Sequence, residues 1–344
     1  MKRRREVVSA SDLLRICMAY GFCDMSLRQV AAWASATGLG QLSNVAVLKR
    51  LRACSDWLGY IVSRWLIERG LTTSLPPYQV RIIDATLVNQ PGTEGVDWRV
   101  HLGYDIGRQK MTEIEVADKS QAETLERHRV NPDEVILADR GYAHPSAIAH
   151  LLEKKGHIII RFCWATMPLY TAEGKKIDFI PLLQTLSPNE VGDWQVYLHH
   201  NGKVYPMRVV AIKKTEEATE RERWKLRQRA RMKKHKVDYR SLIAAGYIYL
   251  LTDFPAEKVG ALEVLEMYRL RWQIEIAFKR LKSLLNLDGL RAKDPALART
   301  YILSKIIGAL VIEEMSGAAL SFFPWGFRLP GEAGKPLACY GSVE

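Results

Sequence analysis

The stretch Tyr268-Arg-Leu-Arg-Trp-Gln-Ile-Glu-Ile-Ala-Phe-Lys-Arg-Leu-Lys282 decides how this chain is interpreted. It contains no proline or glycine and is rich in helix-forming residues, which predicts one continuous helix. At about 100° per residue, one side of this helix carries a phenol, a carboxylate and three cations. These side chains are Tyr268, Arg271, Glu275, Lys279 and Lys282. The adjacent apolar stripe, which can pack on a core, consists of Ile274, Phe278, Leu281 and Leu285.

This polar row has two interpretations. A carboxylate can hold a hard cation, and cations one and two turns away can bind phosphate, so the row suits metal-assisted phosphoryl transfer. The alternative is an exposed amphipathic helix, in which each Glu–Lys pair at four-residue spacing contributes only about 0.2–0.5 kcal/mol. The helix alone does not decide between them.

The charge of the chain indicates a polyanionic partner. The 344 residues carry a formal net charge of +12, which favours nucleic acid or an anionic membrane surface. A membrane is disfavoured because residues 301–315, the most apolar segment, are interrupted by Lys305, Glu313 and Glu314. The first residues are not followed by a signal-peptide core, and the five cysteines form no Cys-x-x-Cys pair, as expected of a cytosolic protein.

Residues 1–72 are predicted to form a helical DNA-binding domain. A first helix begins after Ser11-Asp12, and helices over 27–35 and 45–57 then flank a glycine-containing turn, which is typical of a helix-turn-helix. The later helix carries Lys49, Arg50 and Arg52, which can contact DNA. A three-helix bundle with no DNA-binding function would show the same pattern.

A proline-containing linker over 72–77 precedes residues 76–162, which are rich in strands. We predict strands over 78–88, 98–106, 110–116, 134–138 and 157–162, with helices over 122–129 and 145–155. Three strands, a helix, a strand, a helix and a strand is the element order of a ribonuclease-H-like α/β sheet.

Two aspartates end apolar strands of this predicted sheet. Asp84 lies in Ile83-Asp84-Ala85-Thr86, and Asp139 follows the buried strand 134–138. Ligands of open α/β sheets gather at strand ends, so these residues and Glu275 are candidates for one metal site. The alternative is that each aspartate caps a turn or the next helix.

Residues 163–250 are predicted to interrupt the catalytic core as a β-rich insertion. A hairpin around Asn201-Gly202 is followed by a basic helix over 216–236, which includes Arg227 and Arg231 as candidate phosphate contacts. A solvated or disordered charge run is the alternative. The core resumes over 251–315, and a glycine-, proline- and aromatic-rich tail occupies 316–344.

The spacing of Tyr268, Arg271, Glu275 and Lys282 resembles the signature of the insertion-sequence-four group of bacterial DDE transposases. Residues 138–142, Ala-Asp-Arg-Gly-Tyr, resemble the second-aspartate motif of that group, and residues 91–105 resemble the region after the first aspartate. The resemblance runs from about residue 78 to 300.

The resemblance implies a transposase that cuts the ends of its own mobile element and joins them to target DNA, either through hairpin ends or by another excision route. Asp84, Asp139 and Glu275 would hold two Mg²⁺ or Mn²⁺ ions, and Tyr268, Arg271, Lys279, Lys282 and Arg140 would contact DNA. A homodimer would hold two ends together in the bacterial cytoplasm, near the nucleoid. The resemblance also implies an aromatic residue that holds a flipped base, for which Tyr247 and Trp224 are the candidates. A nuclease without strand transfer and a non-catalytic DNA-binding regulator are the rival functions.

Overall fold

A mixed eight-stranded sheet runs through the centre of the fold. A computed structural model describes residues 7, 9–69, 79–89, 98–107, 110–118 and 120–322. The strand order is β3-β2-β1-β4-β5-β8-β7-β6. The strands are β1 (Gln79–Val88), β2 (Trp98–Asp105), β3 (Lys110–Asp118), β4 (Glu134–Ala138), β5 (His157–Arg161), β6 (Val191–His200), β7 (Lys203–Lys213) and β8 (Tyr247–Thr252).

The first five strands agree with the sequence prediction to within two residues. β1, β4 and β5 run parallel to one another, and β2 and β3 add to β1 as an antiparallel meander. All five residues of β4 are buried, as expected of an apolar strand covered on both faces. Register places Ile83 of β1 opposite Ala138 of β4, so the residues that follow them lie side by side.

The helix predicted over 122–129 is wrong. The structure has one 3-10 turn there, Leu125–Arg127. Glu113 on β3 accepts a hydrogen bond from the Arg129 backbone N–H at 3.2 Å and contacts the His128 ring at 2.9 Å. Because these groups bond to the sheet, the chain leaves the helical path after one turn.

The N-terminal region contains four helices, one more than its pattern predicted. They are α1 (Ala10–Gly21), α2 (Leu27–Ala36), α3 (Asn44–Ala53) and α4 (Ser55–Arg69). The predicted helix over 45–57 ends at Ala53, and α4 begins two residues later. Buried residues of these helices share one hydrophobic cluster with one face of the sheet and with α11 (Pro295–Phe322).

Helix α11 packs closely on the N-terminal helices. Lys305 is fully buried, and its Nζ lies 3.0 Å from Asp24 Oδ2. Gly308 meets the Phe22 ring so closely that an added Cβ would lie 2.0 Å from it. Within the described residues, Pro295–Ser316 is the helix long and apolar enough to cross a membrane, but 72% of that window is buried inside the protein. It therefore has the character of a core helix.

The segment that was predicted as one helix over 268–282 is two helices. α9 (Ala261–Arg269) ends one residue after Tyr268, α10 (Trp272–Lys279) follows, and a π-helical turn spans Arg280–Leu284. At the junction the backbone N–H of Arg271 bonds to the Tyr268 carbonyl at 3.0 Å. This bond joins residues three apart, whereas an α-helix bonds residues four apart. The α-helix is therefore interrupted here, and Tyr268 does not lie on the same helix as Glu275 and Lys279.

Residues 163–250, which were predicted as an insertion, extend the same sheet. β7 pairs with β8, and the β6–β7 hairpin turns at Asn201 and Gly202, both with positive φ as a tight hairpin requires. The basic helix, α7 (Glu216–Met232), ends four residues before its predicted end. The remaining helices are α5 (Pro145–Glu153), α6 (Phe179–Gln184) and α8 (Tyr239–Ala244). The predicted linker over 72–77, the motif residues 91–97 and the tail after 322 lie outside the described residues.

Candidate catalytic site

Asp84 and Asp139 lie next to each other on parallel strands. Each follows a residue of the Ile83–Ala138 pair that aligns β1 with β4. Asp139 takes the position before the 3-10 turn Arg140–Tyr142, but its side chain makes no capping hydrogen bond. The capping alternative is therefore wrong for Asp139, and its carboxylate faces the site.

The Asp84 carboxylate is partly buried, and its surroundings disfavour its ionised form. Its Oδ1 accepts a hydrogen bond from the Ala85 N–H at 2.8 Å. Burial raises the pKa of Asp84 to about 6; the Ala85 N–H and Arg271 oppose the shift, while the nearby carboxylates of Asp139 and Glu123 add to it. A carboxylate in this condition gains from any cation placed beside it.

Arg271 provides such a cation and connects two of the predicted catalytic residues. Its Nη1 lies 3.3 Å from Asp84 Oδ2, and its Nη2 donates to Glu275 Oε1 at 2.7 Å. Burial alone would lower the pKa of Arg271, but Tyr268, Asp139, Asp84 and Glu275 together raise it. All three predicted carboxylates thus act on one guanidinium.

Tyr268 and Arg161 contact the second aspartate. Tyr268 Oη lies 3.5 Å from Asp139 Oδ1, and Arg161 Nη1 lies 4.0 Å from the same oxygen. Burial, with the negative charge of Asp139, raises the pKa of the Tyr268 phenol, which is therefore a hydrogen-bond donor at neutral pH. Sequence reasoning missed Arg161, although it ends the apolar strand β5 as Asp139 follows β4.

Lys279 and Lys282, which were predicted on one side of the same helix, have different surroundings. Lys279 is exposed on α10. Lys282 lies in the π-helical turn, where its Nζ donates to the Leu87 carbonyl at 3.1 Å and lies 3.3 Å from Asp288. Lys282 therefore ties the turn to the end of β1 in this conformation.

The three carboxylates do not form a ready metal cage. Within the part of the chain that the structure describes, no three His, Cys, Asp or Glu side chains form a group that could hold a metal ion. Arg271 bonds to the oxygens of Asp84 and Glu275 instead, and the Glu275 side chain is 60% exposed. The donor set is nevertheless all carboxylate oxygen, the chemistry that suits Mg²⁺ or Mn²⁺.

The predicted DNA contacts outside this centre are mostly at the surface. On α3, Lys49 is exposed, Arg50 bonds to the Ala46 carbonyl at 3.3 Å, and Arg52 lies 3.1 Å from Asp294. Arg140 is exposed beside Asp139. On α7, Arg231 is exposed, whereas Arg227 lies 3.5 Å from Glu220.

The aromatic residues differ in their availability. Trp224 on α7 is 59% exposed, whereas Tyr247 on β8 is only 7% exposed and packs in the core. Trp272, at the start of α10 beside Arg271, is 43% exposed and was not singled out from the sequence. The sequence feature that could have identified Trp272 is its position directly after Arg271, a predicted site residue.

Comparison with known proteins adds independent information. Residues 75–311 match the family model described as "Transposase DDE domain". The chain is 38% identical over 331 residues to the putative transposase InsL of insertion sequence element IS186A from Escherichia coli (strain K12), which covers 94% of this chain and 90% of the relative. It is 37% identical over 332 residues to the transposase of IS421 from Escherichia coli, with the same coverage of both chains. A more distant relative, the IS231F transposase of Bacillus thuringiensis subsp. israelensis, is 25% identical over 67% of this chain and 54% of its own length.

Proposed function

Because the chain belongs to the DDE transposase family and carries out DNA transposition, we propose that Asp84, Asp139 and Glu275 are its catalytic carboxylates. One observation carries the proposal: Arg271 bonds to Asp84 and Glu275, while Asp139 lies beside Asp84 on the neighbouring strand. A single cation is already surrounded by acidic groups from three separate elements.

Divalent metal ions are the general cofactors of DDE transposase domains, and we propose two Mg²⁺ or Mn²⁺ ions here. The chemistry of Asp84, Asp139 and Glu275 fits these ions, and the position of Arg271 supports a site that accepts positive charge. When bound, such ions activate the attacking oxygen and stabilise the leaving oxygen. Arg271 would hold the carboxylates in the metal-free enzyme and turn to a DNA phosphate when the ions bind.

The other residues of the centre would orient the DNA. The Tyr268 phenol, which is neutral beside Asp139, would donate a hydrogen bond to a phosphate oxygen. Lys279 is exposed and free to reach the backbone of the bound strand. Lys282 would exchange Asp288 for a phosphate, because exposed ion pairs of this kind contribute only about 0–1 kcal/mol.

Recognition of the element's ends is proposed for α3, through Lys49, Arg50 and Arg52. Arg50 and Arg52 would exchange their present partners for DNA. Arg227 and Arg231 on α7, with Arg140, would contact phosphates near the cut. For a flipped base, we propose Trp224 rather than Tyr247, since only the former exposes its ring.

The finer classification rests on topology and spacing. The order β3-β2-β1-β4-β5 supports a ribonuclease-H-like core formed by residues 76–162 and 251–315, with 163–250 inserted and 1–72 as the DNA-binding domain. The Tyr268–Arg271–Glu275–Lys282 spacing supports the insertion-sequence-four group. We propose a homodimer on double-stranded terminal repeats and target DNA, in the cytoplasm and associated with the nucleoid.

Cleavage mapping tests this proposal. Purified protein is incubated with its element's terminal DNA and Mg²⁺, and the broken strands are mapped for wild type and for Asp84→Ala, Asp139→Ala and Glu275→Ala. Each variant should lose cleavage while retaining DNA binding. Cleavage at the wild-type rate by any of the three would remove that residue from the catalytic set. A precut end and a target plasmid then separate strand transfer from simple hydrolysis.

A further inference from the structure

Glu123 is an acidic residue near the proposed catalytic centre that the proposed function does not use. It lies just before the 3-10 turn Leu125–Arg127, and its carboxylate lies against Gly141. A Cβ added at Gly141 would overlap Glu123 Oε2. The φ angle of Gly141 is not positive, so the backbone conformation alone does not require glycine there. The close approach of the Glu123 carboxylate is therefore the feature that favours glycine at this position.

Arg99 holds Glu123 in this position. Its Nε lies 3.8 Å from Glu123 Oε1, and its Nη1 donates a hydrogen bond to the Gln121 carbonyl at 2.9 Å. Arg127 binds the same segment, because its Nε donates to the Ala122 carbonyl at 3.2 Å. One guanidinium therefore pairs with the carboxylate, and two bind the backbone immediately before it, so the Glu123 side chain starts from a fixed point.

Gly141 belongs to the 3-10 turn that presents Asp139. The backbone N–H of Tyr142 bonds to the Asp139 carbonyl at 3.0 Å, and the Tyr142 side chain is fully buried in the core. The Asp139 side chain makes no capping hydrogen bond to the turn. The orientation of Asp139 thus depends on how the turn itself is held, and Glu123 contacts that turn at the glycine two residues after Asp139.

The charge of Glu123 acts on the same group of carboxylates. Its negative charge, with that of Asp139, adds to the effect of burial that raises the pKa of Asp84. A divalent ion would offset this repulsion, because it attracts all of these carboxylates. In addition to its contact with Gly141, Glu123 therefore makes the proposed site more favourable for a cation.

An ordinary ion pair is the alternative interpretation of Arg99 and Glu123. Their side chains are 20% and 31% exposed, and an exposed pair contributes about 0–1 kcal/mol. An ion pair alone does not explain why Glu123 lies against a glycine of the Asp139 turn. The arrangement also connects the two stretches that resemble the family motifs, since Arg99 lies within 91–105 and Gly141 within 138–142.

We propose that Glu123 is a positioning residue of the catalytic centre. Held by Arg99, its carboxylate lies against Gly141 and fixes the turn that presents Asp139 to the divalent ions. Glu123 acts through Asp139 and does not itself bind an ion. The inference rests on the proposed function, in which Asp139 is a metal ligand.

Mn²⁺ binding measured without cleavage tests the proposal. The protein is bound to a precut terminal duplex, and free Mn²⁺ is followed by electron paramagnetic resonance during a titration. Glu123→Ala removes the carboxylate, whereas Gly141→Ala keeps it but displaces it from the turn, because it is the end of a flexible side chain. The double variant combines both changes. Glu126→Gln, which alters an exposed carboxylate on the adjacent turn, is the matched control.

Glu123→Ala and Gly141→Ala should each weaken Mn²⁺ binding about tenfold, the lower end of the range for removal of a group that orients a metal ligand. The double variant should bind no more weakly than Glu123→Ala, because no carboxylate remains for the added methyl group to displace. Glu126→Gln should bind Mn²⁺ like wild type. Wild-type affinity in Glu123→Ala, or a further tenfold loss in the double variant, would overturn the proposal.

Two further measurements separate a positioning role from its alternatives. The melting midpoint in EDTA should be the same for Glu123→Ala as for wild type. A lower midpoint combined with wild-type Mn²⁺ affinity would show that Glu123 only stabilises the fold, and would also overturn the proposal. Asp139→Asn is titrated in parallel. If Asp139→Asn loses Mn²⁺ and Glu123→Ala does not, the positioning role alone fails; if Asp139→Asn binds Mn²⁺ like wild type, the proposed function fails with it.

Discussion

Replacing Asp84 with asparagine should stabilise the metal-free protein at neutral pH while abolishing transposition. Burial raises the pKa of Asp84 from 3.8 to about 6. At about 1.4 kcal/mol for each tenfold change in the ionisation constant, ionising Asp84 costs about 3 kcal/mol more in the folded than in the unfolded protein. Because the side chain is 21% exposed and solvent screens part of this cost, we expect Asp84→Asn to gain about 1–2 kcal/mol.

The sign of the pH dependence follows from the raised pKa. A carboxyl group whose folded pKa exceeds its unfolded value favours folding while it is protonated, and that contribution is lost as pH rises from 3.8 through about 6. The difference between Asp84→Asn and wild type should therefore be absent near pH 4 and complete above pH 7, on the scale set by these two pKa values.

Denaturant unfolding in EDTA across this pH range measures the difference. Asp56→Asn is the matched control, because the Asp56 side chain is 90% exposed and its pair with Arg299 should contribute less than about 1 kcal/mol. The reasoning is refuted if Asp84→Asn is less stable than wild type at pH 7.5, or if the difference does not change with pH.

Two further predictions concern the frame that holds the site. Glu134→Gln should destabilise the protein by about 1–3 kcal/mol in denaturant unfolding, because the buried Arg81 guanidinium loses the carboxylate 2.7 Å away but keeps Glu113 at 2.6 Å; unchanged stability would contradict this. Gly308→Ala should lower the melting midpoint and cost about 1–3 kcal/mol, since its Cβ would clash with Phe22 at 2.0 Å, whereas Gly260→Ala meets nothing within 4 Å and serves as the control. Equal midpoints for the two alanine variants would show that Phe22 moves aside freely.

The strands were predictable from the sequence, but only one of the two aspartates ends its strand. β4 is an apolar run followed by Asp139, as predicted. The prediction that Asp84 ends its strand is wrong, because β1 stays paired with β2 as far as Val88 and Asp84 lies within it. Both strand patterns depend on the local chain, and the parallel pairing of the two strands follows from the element order. To predict that Asp84 and Asp139 are adjacent, it was therefore enough to predict that β1 and β4 are neighbouring parallel strands.

The helical segment that carries Glu275 was harder to predict, because its break depends on tertiary contacts. No proline or glycine marks the junction between α9 and α10. At this junction Tyr268 contacts Asp139 and Arg271 contacts Asp84. The prediction had placed both side chains on one side of a single regular helix. The bridging role of Arg271 likewise could not be inferred from residue spacing, since the sequence predicts a phosphate contact but not the carboxylate pair that it joins.

Helix propensity and burial explain the remaining differences. Residues 122–129 favour a helix locally, but the hydrogen bond from the Arg129 N–H to Glu113 and the contact of the His128 ring with Glu113 prevent it. Tyr247 was a candidate for base stacking because of its place in the chain, yet its strand is central and its ring is only 7% exposed. Both outcomes depend on neighbours that are distant in sequence.

The central claim is that three carboxylates hold a pair of divalent ions, and Mn²⁺ binding tests it most directly. Electron paramagnetic resonance of the complex with terminal DNA should show two coupled Mn²⁺ ions, about 3.5–4 Å apart, as in other two-metal sites. Asp84→Asn, Asp139→Asn and Glu275→Gln should each lose the coupled signal while still binding the DNA. An unchanged coupled signal in any of these variants would contradict the account.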